Sequence, residues 1–489
     1  MATNPKSAGV TVIGRSAAKR VIEHALTSLD PELIAVWGRR RVGKTFLIRN
    51  SRKPVEDHFF ELTGRRNSTR SEQLGHFMDA FVKIFKPSYT LQAPKSWDKA
   101  FNYLADGIEA FPEDGKPITV FFDEAPWLDS RRSGFIHALE YFWNSKGSQY
   151  PRLKMFVCGS AASWIVRRIV KGRGGWHRRI TGQIRVLPYK LREVEAYFAT
   201  RDIRLCRTDV LKLYMVLGGI PYYLSLMLRG ESIASFIDRL FFSESAELRG
   251  EFTELFESLF DNAPIHRKIV TEVARTKAGL PRSQIAVRSK LSSGGNLNRY
   301  IDNLEQSGFL EEYTPLGARG RRFWRHRVCD MFTLFHLHWL AGRTKTRSWQ
   351  AITNSQAYKS WCGHAFEILA WNHSRSLADA LGIAKSDYAV TQALLEGGQI
   401  NAQIDLMFEV TGGAVYLFEL KFCDEPYVMT AAEAGKLRQR RQALETYYKS
   451  RRSIIVCLLA PHGIRQNSHS KETVDVVLNA DALFRTDGE

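Results

Sequence analysis

The sequence contains no C-x-x-C pair: its six cysteines, Cys158, Cys206, Cys329, Cys362, Cys423 and Cys457, lie singly along 489 residues. That spacing argues against a disulfide scaffold and against a zinc site, and most of these thiols read as small buried hydrophobes. Long apolar runs are also missing. Residues 453–460 are too few, and 332–340 is interrupted by His336 and His338, whereas a membrane-spanning helix needs about 20 consecutive apolar residues. Residues 1–9 lack the basic-then-apolar order of a secretory signal. No membrane partner is expected, and the expected address is cytoplasmic. Internal repeats and low-complexity tracts are absent too. Acids are outnumbered: 51 Asp and Glu face 70 Lys and Arg, a formal net charge of +19. A surplus of that size favours a polyanionic partner, chiefly nucleic acid, through counterion release.

What is present is the composition of a soluble globular protein, 44% hydrophobic and 25% charged. The length suggests about three domains. Residues 21–29 read as a helix and 33–37 as a short buried strand, followed by a glycine-rich loop and a helix opening at Lys44. Residues 58–62, 118–122 and 154–158 read as further strands with helical pattern between them. Strands alternating with helices imply parallel β-α-β units. From 192 to about 261 the pattern is helical, interrupted by Gly218-Gly-Ile-Pro-Tyr222.

Gly38-Arg-Arg-Arg-Val-Gly-Lys-Thr45 fits G-x-x-x-x-G-K-[ST] in full. Gly38 and Gly43 let the backbone curl so that its N–H groups face phosphate oxygens. Lys44 can reach the β- and γ-phosphates of ATP, and the Thr45 hydroxyl can ligate Mg2+. The helix that opens there adds its positive dipole end. Val120-Phe-Phe-Asp-Glu124 is an apolar strand ending in two acids, expected beside the first strand. Asp123 would hold Mg2+ through water, and Glu124 would orient or deprotonate the attacking water. Ser160, after the strand 154–158, either senses the γ-phosphate from the strand between the two motifs or caps the next helix. Arg178 and Arg179 are either charge stabilisers, within the chain or for a neighbouring subunit of a homo-oligomer, or part of a basic surface loop.

Ile13-Gly-Arg15, the loop at Gly38, Phe122-Asp-Glu124, Cys158-Gly-Ser160 and Gly218-Gly-Ile-Pro-Tyr-Tyr223 resemble the archaeal-type P-loop ATPase family, in the AAA+/STAND division. The resemblance covers about the first half of the chain and implies an α/β core with a helical lid. Lys44, Thr45, Asp123 and Glu124 fall on its motif positions; Ser160, Arg178 and Arg179 are looser placements. Ala125-Pro126 directly after the acids departs from the pattern and bears on the geometry around Glu124.

Residues 265–275 and 283–290 read as two helices, and 295–307 as a recognition helix with Asn296, Asn298, Arg299 and Asn303 on its polar side. A β-wing would follow, carrying Arg319, Arg321, Arg322, Arg325 and Arg327 with no acid from Thr314 to Arg327. That order describes a winged helix, which puts a helix in the DNA major groove and its wing on phosphates, or else serves protein packing. Phe323 to Phe335 resembles the segment that follows the winged helix in the same ATPase family, where a nuclease-like C-terminal domain is expected.

Ile404-Asp405 and Tyr416-Leu-Phe-Glu-Leu-Lys421 read as the strands of a hairpin turning at Thr411-Gly-Gly413, with Asp405 opposite Glu419 to Lys421. Glu419 and Lys421 share one face. Two carboxylates and a lysine suit Mg2+ ligation beside a scissile phosphate. The order D-x13-E-x-K matches the PD-(D/E)xK nuclease pattern, with Ile404 standing where that pattern has proline, and Glu367 on an upstream helix supplies another acid. Glu and Lys two residues apart on a strand also form ordinary salt bridges. The helix segment 436–441 could track a phosphate backbone.

The expected architecture is an α/β P-loop NTPase core with helical lid, followed by a winged-helix domain and a C-terminal α/β restriction-endonuclease-like domain. Its boundaries are 1–191 for the core, 192–262 for the lid, 263–330 for the winged helix, 331–347 for a connecting helix and 348–489 for the nuclease-like domain. The expected function is ATP binding and hydrolysis coupled to DNA binding and metal-dependent DNA cleavage. Against it stand a nucleotide-dependent signalling switch whose C-terminal domain binds without cleaving, and a non-enzymatic DNA-binding regulator.

Overall fold

The computed structural model describes residues 12–52, 57–87, 91–130, 132–172, 176, 178–318, 320–342, 348–395 and 402–485. Its internal contacts divide the chain into Met1–Leu187 and Pro188–Glu489.

The N-terminal unit is built on five parallel strands: β1 (Glu32–Trp37), β2 (His58–Thr63), β3 (Ile118–Asp123), β4 (Leu153–Gly159) and β5 (Gly182–Arg185), in the order β2-β3-β4-β1-β5. Every residue of β1, β3 and β4 is buried, as expected of parallel strands covered on both faces. Helices Arg70–Phe85, Trp97–Glu109 and Phe135–Ser145 share a core with these strands, where Phe60, Phe77, Trp97, Phe101, Phe122 and Phe135 interlock. The order corrects one expectation: β3 does not lie beside β1, because β4 pairs with both. Lys154 is buried within β4, where its ammonium donates to the carbonyls of Ser28 at 2.9 Å and Pro151 at 3.0 Å. Burial lowers its pKa from the ordinary lysine value.

The second unit begins helical, from Leu191–Ala199 to Glu251–Leu259. Gly218-Gly-Ile-Pro-Tyr has a local explanation. Gly218 (φ 64°) ends the helix Arg207–Leu217, and Pro221 opens the helix Pro221–Ser225. Between them the Gly219 carbonyl accepts from Tyr189 N at 2.7 Å. Next come helix Ala263–Ala274, β6 (Leu280–Pro281), helices Arg282–Arg288 and Gly295–Gln306, β7 (Leu310–Tyr313) and β8 (Arg325–Val328). The three strands form an antiparallel sheet in the order β6-β8-β7. The His326 ring on β8 lies 2.8 Å from Glu305 and 3.9 Å from Glu312, joining the helix Gly295–Gln306 to the hairpin.

Two expectations for this stretch change. Arg327 is not a surface wing residue: it is 3% exposed, paired with Glu311 at 3.0 Å and stacked 3.6 Å from the centre of the Trp371 ring. Its register on β8 turns it inward, and burial lowers its pKa to about 10. Asn303 faces inward too, 3.3 Å from the His266 ring, whereas Asn296, Asn298 and Arg299 are exposed. Arg319 and residues 343–347 of the expected connecting helix lie outside the described residues.

Helix Gln356–Asn372 leads into β9 (Tyr388–Leu395), β10 (Ala402–Val410) and β11 (Val415–Leu420), followed by helix Ala431–Tyr447, β12 (Ile454–Leu459) and β13 (Val476–Leu478). The sheet order is β13-β12-β11-β10-β9, antiparallel from β9 to β11 and parallel from β11 to β13. β9 was not foreseen from sequence; among the described strands it pairs with β10 at the end of the sheet, and its apolar residues do not alternate strictly. No helix among the described residues is long and apolar enough to cross a membrane.

A Cβ on Gly219 would sit 1.8 Å from the Tyr189 carbonyl oxygen, so Gly219→Ala forces the backbone apart. The expected loss is about 1–3 kcal/mol or more, read as a lowered thermal midpoint by calorimetry.

Candidate functional sites

In a parallel sheet the carboxyl ends of the strands open onto one edge. Here that edge gathers the phosphate-loop residues after β1, Asp123 and Glu124 at the end of β3 and Ser160 after β4. Gly43 (φ 85°) precedes the helix Lys44–Ser51 and takes a left-handed turn that side chains disfavour. A Cβ on Gly38 would meet Val186 O at 2.2 Å, so only glycine lets the loop pass the exit of β5. Arg15, left-handed at φ 58°, caps the helix Ser16–Thr27 and donates to the Val42 carbonyl. The Ile13-Gly-Arg15 segment thereby braces the loop.

The Lys44 ammonium is buried and donates to Ser160 Oγ at 2.7 Å, Gly38 O at 3.1 Å and Arg39 O at 3.2 Å. Ser160 in turn donates from Oγ to Glu124 Oε1 and from its backbone N to Oε2 at 3.0 Å. Thr45 Oγ1 donates to Asp123 Oδ2 at 2.6 Å, and Asp123 Oδ1 accepts from Glu124 N at 3.0 Å. Ala161, not Ser160, holds the cap position of the helix Ala162–Ile165. Glu124 has left-handed backbone (φ 45°), and the helix Ala125–Leu128 containing Pro126 starts immediately after it, which is how the Ala125-Pro126 departure shapes the acid's position. Burial holds the Cys158 thiol well above its ordinary range, leaving it inert beneath Asp123.

These residues fit a nucleoside triphosphate with Mg2+. A buried ammonium surrounded by oxygen acceptors at a helix N-terminus suits a polyphosphate. A hydroxyl and a carboxylate in hydrogen-bond contact suit a hard, oxygen-seeking cation. The parallel sheet, the loop on its β1 exit and the acids ending β3 give a parallel α/β core that resembles those of P-loop proteins. Arg178 and Arg179 stand apart: both are exposed, and among the described residues no hydrogen bond ties them to Lys44, Asp123 or Glu124.

The second constellation lies on the C-terminal sheet. β10 and β11 pair Leu406 with Phe418, so Asp405 and Glu419 are the next residues outward on adjacent strands. The register of β10 against β9 slips by one between Ile404 and Met407. Asp405 therefore sits in a bulge, a device that re-aims side chains. Lys421 lies one residue past β11; its Nζ is 3.0 Å from Glu419 Oε1 and 3.2 Å from Glu433 Oε1. Glu367, on the helix Gln356–Asn372, is 3.4 Å from His364 Nδ1 and 3.6 Å from Lys277 Nζ.

The charges tune one another. Burial, then the charge of Glu367, pushes the Asp405 carboxyl above its ordinary range. Burial would raise Glu367 as well, but His364 and Lys277 outweigh it and hold that carboxyl low. For Glu433 burial is outweighed by hydrogen bonds from Tyr427 and Thr430, leaving it at about 2. Burial lowers Lys421, yet Glu419 and Glu433 raise it on balance.

Sequence reading missed Lys277, His364, Glu433 and the inward turn of Arg440. Instead of tracking a phosphate backbone, Arg440 bonds Glu419 and Arg441 pairs with Glu445 at 3.2 Å. The i, i+3 spacing of His364 and Glu367 on one helix was the available signal for His364; Lys277 had none. Arg299, Arg321 and Arg322 are exposed.

No known family profile matches the chain. An uncharacterized protein of Methanocaldococcus jannaschii is 23% identical over 331 residues, spanning 67% of this chain and 68% of its own. Among solved structures, a Walker-type ATPase of Pyrococcus abyssi is similar at 21% identity and a TM-score of 0.49, over 67% of this chain and 96% of that one. The ORC2 protein of Aeropyrum pernix, solved as ADPNP–ADP complexes, is similar at 13% identity and a TM-score of 0.45, over 68% and 95%.

Replacing Glu367 by Gln removes a charge that raises Asp405, so the Asp405 pKa should fall toward the ordinary aspartate value, as followed by 13C NMR of labelled aspartates. An acid whose folded pKa is raised contributes stability below its unfolded value and loses it as pH rises through the folded one. Glu367→Gln should therefore narrow that window.

Proposed function

We propose that the N-terminal unit binds and hydrolyses ATP with Mg2+, and that the second unit couples this to DNA binding and metal-dependent phosphodiester cleavage. The observation that carries the ATPase reading is the hydrogen-bonded chain from Lys44 through Ser160 to Glu124, beside the Thr45–Asp123 pair. When bound, Mg2+ and ATP supply the electrophilic γ-phosphorus and the neutralised phosphate charge. Lys44 exchanges its loop carbonyls for β- and γ-phosphate oxygens. Thr45 and Asp123, already in hydrogen-bond contact, would hold the cation. Glu124 accepts a proton from the attacking water on a carboxylate oxygen, while Ser160 keeps that carboxylate oriented and reports on Lys44.

The helix–strand–helix–helix–hairpin order of residues 263–328 supports a winged helix, with Arg299, Arg321 and Arg322 exposed for phosphate contact. Arg319 is proposed to join them. The order helix, β9, β10, β11, helix, β12 supports a restriction-endonuclease-like domain. In it Asp405 and Glu419 would hold Mg2+, Glu367 would add its carboxylate, and Lys421 would stand by the attacking water. The exposed Arg178 and Arg179 are proposed to serve a neighbouring subunit of a homo-oligomer.

A second reading, a nucleotide-dependent switch whose C-terminal domain binds without cleaving, is favoured by one contact. Arg440 and Lys421 both occupy Glu419, as in a settled structural salt bridge.

Lys44→Ala should abolish ATP turnover, and undiminished turnover would sink the phosphate-site assignment. Glu124→Gln should retain nucleotide binding while turnover drops by about 100-fold or more, as measured by phosphate release and nucleotide titration. For the second unit the decisive assay is cleavage of labelled DNA with Mg2+ or Mn2+, beside an Asp405→Ala variant. Cleavage lost with Asp405 supports the nuclease reading; salt-sensitive binding with no scission by either protein favours the switch.

A further inference from the structure

Lys277 comes from outside the C-terminal sheet yet sits at its acidic cluster. It lies on the turn between helix Ala263–Ala274 and β6, and its Nζ is 3.6 Å from Glu367 Oε1. Its charge also acts on Asp405. The turn is held in register by the hairpin that follows. Tyr313 donates its hydroxyl to Ala278 O at 2.6 Å, and Arg325 donates to Gly279 O at 3.2 Å. That hairpin is in turn fastened to the helix bearing Glu367. Arg327 stacks on Trp371 at 3.6 Å, and the Tyr313 ring meets the same indole at 5.6 Å. Trp371 is one helical turn beyond Glu367, so docking on the indole sets the height of the Lys277 turn over the carboxylate.

Each acid then has a resident partner. Glu367 has Lys277 and His364, Glu419 has Arg440 and Lys421, and among the described residues Asp405 accepts from the neutral amide of Gln403 at 2.8 Å. We propose that Lys277 is an internal counter-cation of the Glu367–Asp405 pair, which an incoming divalent cation must displace, so that the 263–328 module sets the cation affinity of the carboxylate site. This rests on the reading of Glu367, Asp405 and Glu419 as a metal site. The ammonium and a divalent ion compete for the same two carboxylates. A shift of the module that breaks the Arg327–Trp371 stack lifts Lys277 away and strengthens the cation's hold, which gives an event on the 263–328 module a route to the acidic site.

The test is Mn2+ binding to the full chain without DNA, by calorimetry and by the electron paramagnetic resonance of free Mn2+. Wild type is compared with Lys277→Arg, Lys277→Ala, Lys277→Glu and Asp405→Asn. The half-exposed pair should weaken Mn2+ binding by about 3–5-fold. Lys277→Ala should therefore tighten it by that factor, Lys277→Glu by more, and Lys277→Arg should leave it unchanged; a residue that only packs would not follow charge in this order. If Asp405→Asn abolishes Mn2+ binding while Lys277→Ala and Lys277→Glu bind as wild type does, the inference is overturned and the metal reading stands. If no variant shows Asp405-dependent Mn2+ binding, the metal reading falls and the inference falls with it.

Discussion

The Lys44 ammonium is buried and donates to three oxygen acceptors, and a buried charge is costly unless it is hydrogen-bonded. Its three acceptors come from two places in the chain, the loop carbonyls of Gly38 and Arg39 and the hydroxyl of Ser160. Meeting them requires β4 to run directly beside β1, and Ser160 then carries the network on to Glu124 at the end of β3. One cation thus joins the loop, the serine after β4 and the acid at the open end of the sheet. The strained left-handed backbone of Glu124, costing about 1–2 kcal/mol, persists because Ser160 grips the side chain and the short helix with Pro126 follows at once.

The C-terminal sheet has the opposite polarity. Carboxylates gather there, and the surrounding chain supplies the cations. A bulge in β10 aims Asp405 out of the regular ladder, while Arg440, Lys421, His364 and Lys277 come to the acids from four other segments. Burial alone would raise both Asp405 and Glu367; the partners split them, one carboxyl high and the other low. Such separated acidities among neighbouring carboxyls are a common mark of functional sites, although structural ion-pair networks produce them too.

Much of this was legible in the chain because it is local. The phosphate loop is eight consecutive residues with a buried strand before and a helix after, and its glycines announce the backbone they adopt. The β10–β11 hairpin was readable for the same reason, since a two-glycine turn sets its register. Illegible were features whose cause lies far away in sequence. β9 is an edge strand whose pairing, not its pattern, makes it a strand. Arg327 looked like a wing residue because five arginines follow one another with no acid between, yet strand register turned it onto Trp371.

By itself, then, the sequence determined what adjacent residues decide: the curl of the phosphate loop, the buried parallel strands, the paired acids ending β3 and the hairpin that carries Asp405 and Glu419. Tertiary structure alone decided the bond from Ser160 to Lys44 and the arrival of Lys277 and Arg440 at the acids. The physical reason is range. Local conformation follows from turn chemistry and apolar periodicity, whereas a charge finds its partner only after strands have paired and helices have docked, and nothing in the neighbouring residues encodes which partner that will be.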